Sequence, residues 1–360
     1  MTTTTVTSTP PTTSIDWKNL GFEVHQTNGY VKYTWREDQG WDQGTWETDP
    51  YLKVHMSSPG LNYGQECFEG LKAFRGKDGR VRIFRPQENA RRMVMSATMT
   101  SMTPVPEELF LEGVKRCVQN NLEFVPPADC GGSFYIRPLL FGNGAMIALG
   151  PAPEYIFVVF GTPVGNLYRG GAKPVDAWVI EDLDRSAPRG TGAAKLGGNY
   201  APIFLPTKNA KERGYPITLH LDSATRSYID EFSTSNFVAV SQPDSSKQPT
   251  LVTPNSPSIL RSITRISLFD LAKSFGWGIE ERPIAFAEVA ENKFTEAAAC
   301  GTAAVITPVK KIVKGTNEYT VGEGRDTIGP CLERLYTVYR GIQNGDIEDT
   351  FGWMWPAEGF

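Results

Sequence analysis

The sequence predicts a two-domain α+β protein. Three observations point there. The chain has 360 residues, whereas one domain usually takes ~100–200. Strand-like runs bounded by turn residues and amphipathic helices occur in both halves, with no internal repeat. A break in composition carrying Pro, Gly and Asn falls at 163–173. We therefore expect a flexible tail over 1–14, a smaller α+β domain over 15–162, a connection over 163–173 and a larger domain over 174–360.

The N-terminal half opens with strands and tight turns. Leu71–Arg75 and Arg80–Arg85 flank Lys77-Asp78-Gly79 and read as a hairpin. Gln87–Ser101 follows Pro86, and Glu107–Phe124 follows Pro106 with two acids in its first turn; both read as helices. Residues 133–141 and 155–162 read as strands. In the second half we expect strands at 175–181, 216–221, 226–230 and 236–240, and a helix over about 200–213. A polar loop spans 241–250. Helices are expected over Ile259–Phe275, with Gly276 as its C-terminal cap, and over Gly329–Ile342.

Composition narrows the function. With 40% hydrophobic residues the chain is neither collagenous, coiled-coil nor disordered. A net charge of −4 leaves no nucleic-acid footprint. The best apolar run, Tyr155–Phe160, is strand-length, short of the ~18 residues of a membrane helix. Cys67, Cys117, Cys130, Cys300 and Cys331 are odd in number and lack a CxxC, which favours reduced thiols. The three histidines are scattered, so no metal site is expected. Residues 1–14 are mostly Thr, Ser and Pro, with no basic residue before Lys18. Neither a secretory leader nor an Arg-rich presequence is expected, and the expected compartment is the cytoplasm.

The chemistry concentrates in Arg189-Gly190-Thr191-Gly192-Ala193-Ala194-Lys195-Leu196-Gly197-Gly198-Asn199-Tyr200. Four glycines in nine residues surround one lysine. Glycines permit close backbone approach and positive φ. Leu196 follows the lysine where a phosphate-binding P-loop needs Ser or Thr, so that pattern fails. Two readings remain on spacing alone: an imine-forming lysine, or an ordinary loop lysine, which is the commoner case.

This segment closely resembles the lysine signature of fold-type IV pyridoxal-phosphate enzymes, and among them of branched-chain aminotransferases. The similarity runs in order over roughly residues 20–345, with the length of eukaryotic-type members. The resemblance implies a D-amino-acid aminotransferase-like fold: a small α+β N-terminal domain and a larger C-terminal domain with a barrel-like sheet. It makes Lys195 the Schiff-base lysine and proton carrier, and Tyr200 the partner of the cofactor's phenolic oxygen. In Tyr228-Ile229-Asp230-Glu231-Phe232-Ser233 it assigns Glu231 to the pyridine nitrogen; Asp230 would point to the other face of a strand. Phe232-Ser233 departs from the Gly that often follows this Glu. In Arg85-Pro86-Gln87-Glu88-Asn89-Ala90-Arg91-Arg92 the phosphate arginine falls on Arg92. Ile259-Leu260-Arg261-Ser262-Ile263-Thr264 puts Ile263 and Thr264 on the phosphate at a helix N-terminus. Arg261-Ser262 replaces the family's Pro-Gly there, and Ser can hydrogen-bond locally instead. Cys300-Gly301-Thr302-Ala303 resembles a Ser-Gly-Thr-Ala turn, which adds Thr302.

For the substrate, the resemblance carries Tyr63 and Phe68 from Gly60–Gly70, and Tyr135 and Arg137 from Phe134–Pro138. Phe22 is a looser match. Alternating aromatics in strands are more often core. Backbone amides near Ala303 and Ala304 would hold the α-carboxylate. The implied reaction is ping-pong transamination of branched-chain or other hydrophobic L-amino acids with 2-oxoglutarate, in amino-acid biosynthesis, by a homodimer. Ala304 and Thr307 stand where some relatives carry a redox CxxC, so no thiol switch is expected. Three alternatives stay open: a transaminase for D-amino acids, (R)-amines or a specialised amino acid; a pyruvate-releasing lyase; and a non-enzymatic cofactor-binding relative.

Overall fold

The computed structural model describes residues 9–165, 172–242 and 247–357. The chain clusters into two compact units, Met1–Leu167 with Gly341–Phe360, and Tyr168–Arg340. Of the expected tail, residues 1–8 lie outside the described residues, as do 166–171 of the expected connection. The expected larger domain ran to residue 360; in the structure the last residues join the first unit.

The reason is a strand. Met354–Pro356 pairs antiparallel with Val81–Phe84. The Arg85 amide donates to the Trp353 carbonyl and the Ala357 amide to the Val81 carbonyl, both within 3.0 Å. Trp353 packs edge-on against Phe84 and lies flat on Phe351. From that edge the first sheet runs Val81–Phe84, Leu71–Arg75, Ser133–Asn143, Glu154–Val164, Tyr30–Arg36, Gly40–Trp41. The hairpin read from Lys-Asp-Gly is present, with Ala73 opposite Ile83 and Gly79 at φ +77°. Period-two alternation sorts its faces. Phe134, Ile136 and Leu140 are fully buried, whereas Tyr135, Arg137 and Leu139 point the other way and are half-buried.

The first-unit helices are Pro86–Met99 and Glu107–Gln119. The second stops five residues before the expected Phe124. Asn121 ends it: its side-chain amide donates to the Cys117 carbonyl at 2.8 Å and its oxygen accepts from the Asn28 amide at 2.9 Å. Side-chain capture of backbone groups competes with the helical ladder. Phe110 of this helix stacks on Phe157, which stacks on Tyr33.

The second unit holds a closed barrel. Ile229–Phe232, Ile217–Leu221, Val175–Val179, Val305–Lys314, Glu296–Gly301 and Ser235–Ser241 form a ring, because Ile229–Phe232 also pairs with Ser235–Ser241. Closure removes free edges. Thr250–Pro254 and Gly278–Arg282 extend the sheet outward, and the first of these falls inside the expected 241–250 loop only at its last residue. The expected strand 226–230 forms instead at Ile229–Phe232. The Asp222 carboxylate explains the delay, since it accepts from the amides of Thr225, Ser227 and Tyr228 and holds that stretch as a turn. The barrel core is Leu219, Phe232, Phe237, Ala239, Ala297 and Ile312 with their neighbours.

Pro330–Asn344 is the longest helix among the described residues, at 15 residues. Buried Glu296, from a barrel strand, accepts the Cys331 and Leu332 amides at 2.9 Å each. A carboxylate there satisfies two otherwise unpaired donors and meets the positive end of the helix dipole. Glu296→Ala is expected to cost about 1–2 kcal/mol, and Glu296→Gln less than half of that, by urea melts. Equal stability of all three chains would refute the cap.

Candidate active site

The lysine loop is stapled by a residue the sequence reading passed over. The Asn199 side-chain amide donates to the carbonyls of Thr191 and Ala194 at 2.8 and 2.9 Å, and its oxygen accepts from the Thr191 hydroxyl at 2.8 Å. The loop therefore returns on itself with Lys195 inside it. The four glycines between 190 and 198 do not adopt positive φ; close approach is what Gly192 requires. A Cβ on Gly192 would sit 2.1 Å from the Ser258 carbonyl oxygen, whereas one on Gly198 would meet nothing within 4 Å. Gly192→Ala is thus expected to lower the melting temperature and cut turnover at least tenfold, and Gly198→Ala to melt within about 1 kcal/mol of the parent. Normal turnover by Gly192→Ala would show that the loop yields without consequence.

Lys195 Nζ donates to the Tyr200 hydroxyl at 2.9 Å and lies 5.0 Å from the ring centre. Both side chains are half-buried. Five residues apart, they are brought together by the short 3-10 turn Gly197–Asn199.

Glu231 lies in the barrel strand Ile229–Phe232 and is 2% exposed. One of its oxygens accepts from Arg185 Nη1 at 2.5 Å and from the Leu260 amide at 3.2 Å; the other accepts from Asn236 at 2.9 Å. Burial pushes its pKa up to about 7, against the pull of Arg185 and of the Leu260 and Asn236 donors. Asp230 is raised by burial too, and holds Ser256 rather than this set. Arg185 was not singled out from the sequence. It stands ten residues before Lys195, outside the glycine-rich stretch, and only the fold sets it on Glu231.

Around Arg185 the chain is polar and closed. The Ser233 carbonyl accepts from Arg185 Nε at 3.3 Å. The Ser233 hydroxyl bonds the Thr218 hydroxyl, and His220 Nε2 at 2.8 Å. Burial, with Arg185 beside it, pushes His220 down to about 4, so it is neutral at ordinary pH. The Phe232-Ser233 departure is thus a packed aromatic, stacked on Phe237, followed by a fully bonded hydroxyl.

The third element is the helix Ile263–Ser274. It starts four residues after the expected Ile259 because Leu260 is committed elsewhere: its amide serves Glu231 and its carbonyl accepts from Asn236 at 3.0 Å. Ser262 caps the helix by accepting the Arg265 amide at 3.2 Å, so the serine does supply the local bond that the lost Pro-Gly turn required. Ile263 and Thr264 occupy the first turn, both buried. Gly276, at φ +77°, ends the helix region as expected. The turn 302–304 joins two barrel strands, with Gly301 opposite Val305 and Cys300 opposite Asn236. Val305 adopts φ +66°, strained for a β-branched residue, and strain of this kind gathers at functional turns.

These elements touch. Gly192 packs against Ser258, Leu260 bonds Glu231, and Asn236 bonds Glu231 and pairs with Cys300. The second unit therefore gathers Lys195, Tyr200, Glu231, Ile263, Thr264 and the turn of Thr302, Ala303 and Ala304.

The remaining predicted residues lie in the first unit. Arg137 donates to the Tyr135 hydroxyl at 2.9 Å and lies over the rings of Phe68 and Tyr135 at 4.8 and 5.3 Å, so these three are together. Tyr63 stands elsewhere, 46% exposed, its hydroxyl donating to the Ile147 carbonyl. Phe22 is equally exposed. Arg92 forms a two-pronged pair with fully buried Glu69, Nε and Nη2 each 2.7 Å from a carboxylate oxygen. All five cysteines are free thiols, and burial pushes Cys300 up to about 12.

The amino-transferase class IV family model matches residues 66–312. The chain belongs to the class IV aminotransferases. A transaminase of Alternaria alternata is 45% identical over 343 residues, which cover 94% of this chain and 91% of that protein. A branched-chain-amino-acid aminotransferase of Haemophilus influenzae is 41% identical over 350 residues, covering 96% and 99%. The crystal structure of the Escherichia coli branched-chain amino acid aminotransferase superposes with a TM-score of 0.75 at 26% identity, covering 92% of this chain and all of that one. The expected fold-type IV architecture is therefore present, and class IV aminotransferases use pyridoxal 5′-phosphate. The residues of this aminotransferase fit that group. The second unit offers an amine for its aldehyde, a capped helix N-terminus for its phosphate and a buried carboxylate for its ring nitrogen. Among the described residues no helix is long and apolar enough to cross a membrane.

Proposed function

We propose that this aminotransferase moves the amino group of a branched-chain or other hydrophobic L-amino acid to 2-oxoglutarate by a ping-pong route. The observation that carries the reading is Lys195 held against Tyr200 in a loop packed on the 258–260 segment that bonds Glu231. Pyridoxal phosphate, when bound, supplies a ring that withdraws electrons from the substrate's α-carbon. The amine of Lys195 would take the substrate's α-proton and deliver it to the cofactor's C4′ carbon. The Tyr200 hydroxyl orients that amine. Glu231 keeps a proton at the ring nitrogen. Amides at Ile263 and Thr264 hold phosphate oxygens, with Arg92 as a further ligand by resemblance, and Thr302 beside them. Amides near Ala303 and Ala304 receive the α-carboxylate. By resemblance, Phe68, Tyr135 and Arg137 are the substrate-side residues, and Phe22 and Tyr63 are carried over with them. Apolar walls select an aliphatic side chain by ~1–3 kcal/mol per methylene.

We infer a homodimer as the working form. Exposed Phe204 and Leu205 in the second unit, and Ile147 and Leu149 in the first, are apolar side chains that a second copy would cover. Sedimentation at micromolar concentration tests this, and a monomer there would refute it.

A second reading has the same chemistry with another donor. It is favoured by the relative at 45% identity, whose name specifies transaminase and no substrate. One panel separates the two: leucine, isoleucine, D-alanine and 1-phenylethylamine, each with 2-oxoglutarate, following glutamate release. Leucine and isoleucine are expected to react. Reaction of only the last two would overturn the first reading.

A further inference from the structure

Glu231 is a buried acid with an unusual neighbour. Its strand, Ile229–Phe232, lies between Ile217–Leu221 and Ser235–Ser241, and Glu231 itself is bonded from three elements: Ser235–Ser241, the segment before the 263–274 helix, and the loop that carries Arg185. From those elements it meets two neutral donors, Asn236 and the Leu260 amide, and one cation, Arg185. Asp230 on its own strand and the Cys300 thiol two strands along the barrel wall are the other titratable groups that feel it, and His220 faces Arg185. Both members of the Arg185–Glu231 pair are 3% exposed at their side chains. Water does not solvate either charge, so each depends on the other.

The arginine is itself held. Ser233 fixes it through its carbonyl, and Ser233 is pinned at three points: its amide to the Thr218 carbonyl at 2.9 Å, and its hydroxyl to Thr218 and His220. A side chain so placed keeps one direction of approach to Glu231.

We propose that Arg185 is a positioning residue which keeps Glu231 ionised and turned toward the cofactor's ring nitrogen, and that Ser233, anchored by Thr218 and His220, holds Arg185 in place. The proposal rests on the reading that Glu231 serves that nitrogen. It goes beyond it by giving the acid's charge a source within the chain. A carboxylic acid in this seat would keep its own proton and leave the ring nitrogen neutral; a carboxylate accepts from the protonated nitrogen. The cation draws on only one carboxylate oxygen, which leaves the other to Asn236 and to the ring.

The pH behaviour follows by linkage. Burial raises the folded Glu231 above its ordinary value, to about 7, so its ionisation lowers stability as pH rises through the interval between the two. Without Arg185 the folded value rises further, and the loss continues to higher pH.

The test uses cofactor-free protein first. Melting temperatures of the parent, Arg185→Met, Glu231→Gln and the double variant are measured from pH 5 to 8.5. Between pH 6 and 8 Arg185→Met is expected to lose on the order of 3 °C or more beyond the parent's change. The double variant is expected to be flat over that range and to melt above Arg185→Met at pH 8. Arg185→Lys, which keeps charge without the fork, is expected to fall between parent and Arg185→Met. If Arg185→Met does not accumulate folded but the double variant does, the unpaired charge is the cause and the proposal stands. If the double variant is no more stable than Arg185→Met, or if Arg185→Met keeps the parent's pH slope, Arg185 is packing only and the proposal falls.

Turnover with pyridoxal phosphate separates the two layers. Glu231→Gln is expected to be slowed at least tenfold. Parent-like turnover by Glu231→Gln would overturn the reading of Glu231, whatever the melts show. Slow Glu231→Gln with an unchanged Arg185→Met pH slope would overturn this inference alone.

Discussion

Lys195→Ala is expected to fold as the parent does, to lack the lysine-imine absorbance band that the parent forms with pyridoxal phosphate, and to lose turnover by ~10³-fold or more. The fold survives because the loop is stapled by Asn199 rather than by Lys195. The bonds from Asn199 to Thr191 and Ala194 do not involve the lysine side chain. What disappears is the amine bonded to Tyr200, and with it the two tasks proposed for it, anchoring the cofactor and carrying a proton. Positioned proton transfer alone is worth ~10²–10⁴-fold. Lys195→Arg keeps a cation but cannot form an imine, so it is expected to be as slow as the alanine variant. An added small primary amine is expected to restore part of the alanine variant's activity. An alanine variant that turns over normally would end the assignment of Lys195.

Glu69→Ala is expected to have the largest effect on stability. Glu69 is fully buried and accepts from Arg92 twice, from Asn89 at 2.7 Å and from the Gly70 amide at 3.2 Å. Its removal takes two carboxylate acceptors from a buried guanidinium. Breaking such a pair costs about 3–5 kcal/mol, or a fall in melting temperature of roughly 6–20 °C. Glu69→Gln keeps two acceptor directions and is expected to lose about half as much. Glu69→Leu combined with Arg92→Met is expected to recover most of the loss, because apolar groups of like volume need no partner. Because Arg92 is the proposed phosphate ligand, the same variant should also weaken cofactor binding. Calorimetry showing Glu69→Ala within a degree of the parent would mean that the pair contributes nothing.

Local chemistry was legible in the sequence, and long-range commitments were not. The Lys-Asp-Gly hairpin, the helix after Pro86 and the Gly276 cap each rest on neighbouring residues, and they formed where expected. The helix after Arg261 began late because Leu260 bonds Glu231 and Asn236, groups 29 and 24 residues away in sequence. The glycines around Lys195 permit both close approach and positive φ, and of the two Gly192 uses the first, toward Ser258, a neighbour that only the fold supplies. Arg185 was missed for the same reason. An arginine in an Asp-Arg-Ser context looks like a solvated surface residue until a barrel strand brings Glu231 to it. Barrel closure has no local signature either, since it depends on one strand pairing on both sides; the family resemblance alone implied a barrel-like sheet.

The strand Met354–Pro356 has a consequence for biosynthesis. Its partner, Val81–Phe84, leaves the ribosome long before it does. At ~5–20 residues per second, roughly 10–40 s pass between the end of the Glu154–Val164 strand and the arrival of residue 354. Throughout that interval the nascent chain carries an unpaired β edge, open to a chaperone or to the same edge on a neighbouring polysome product.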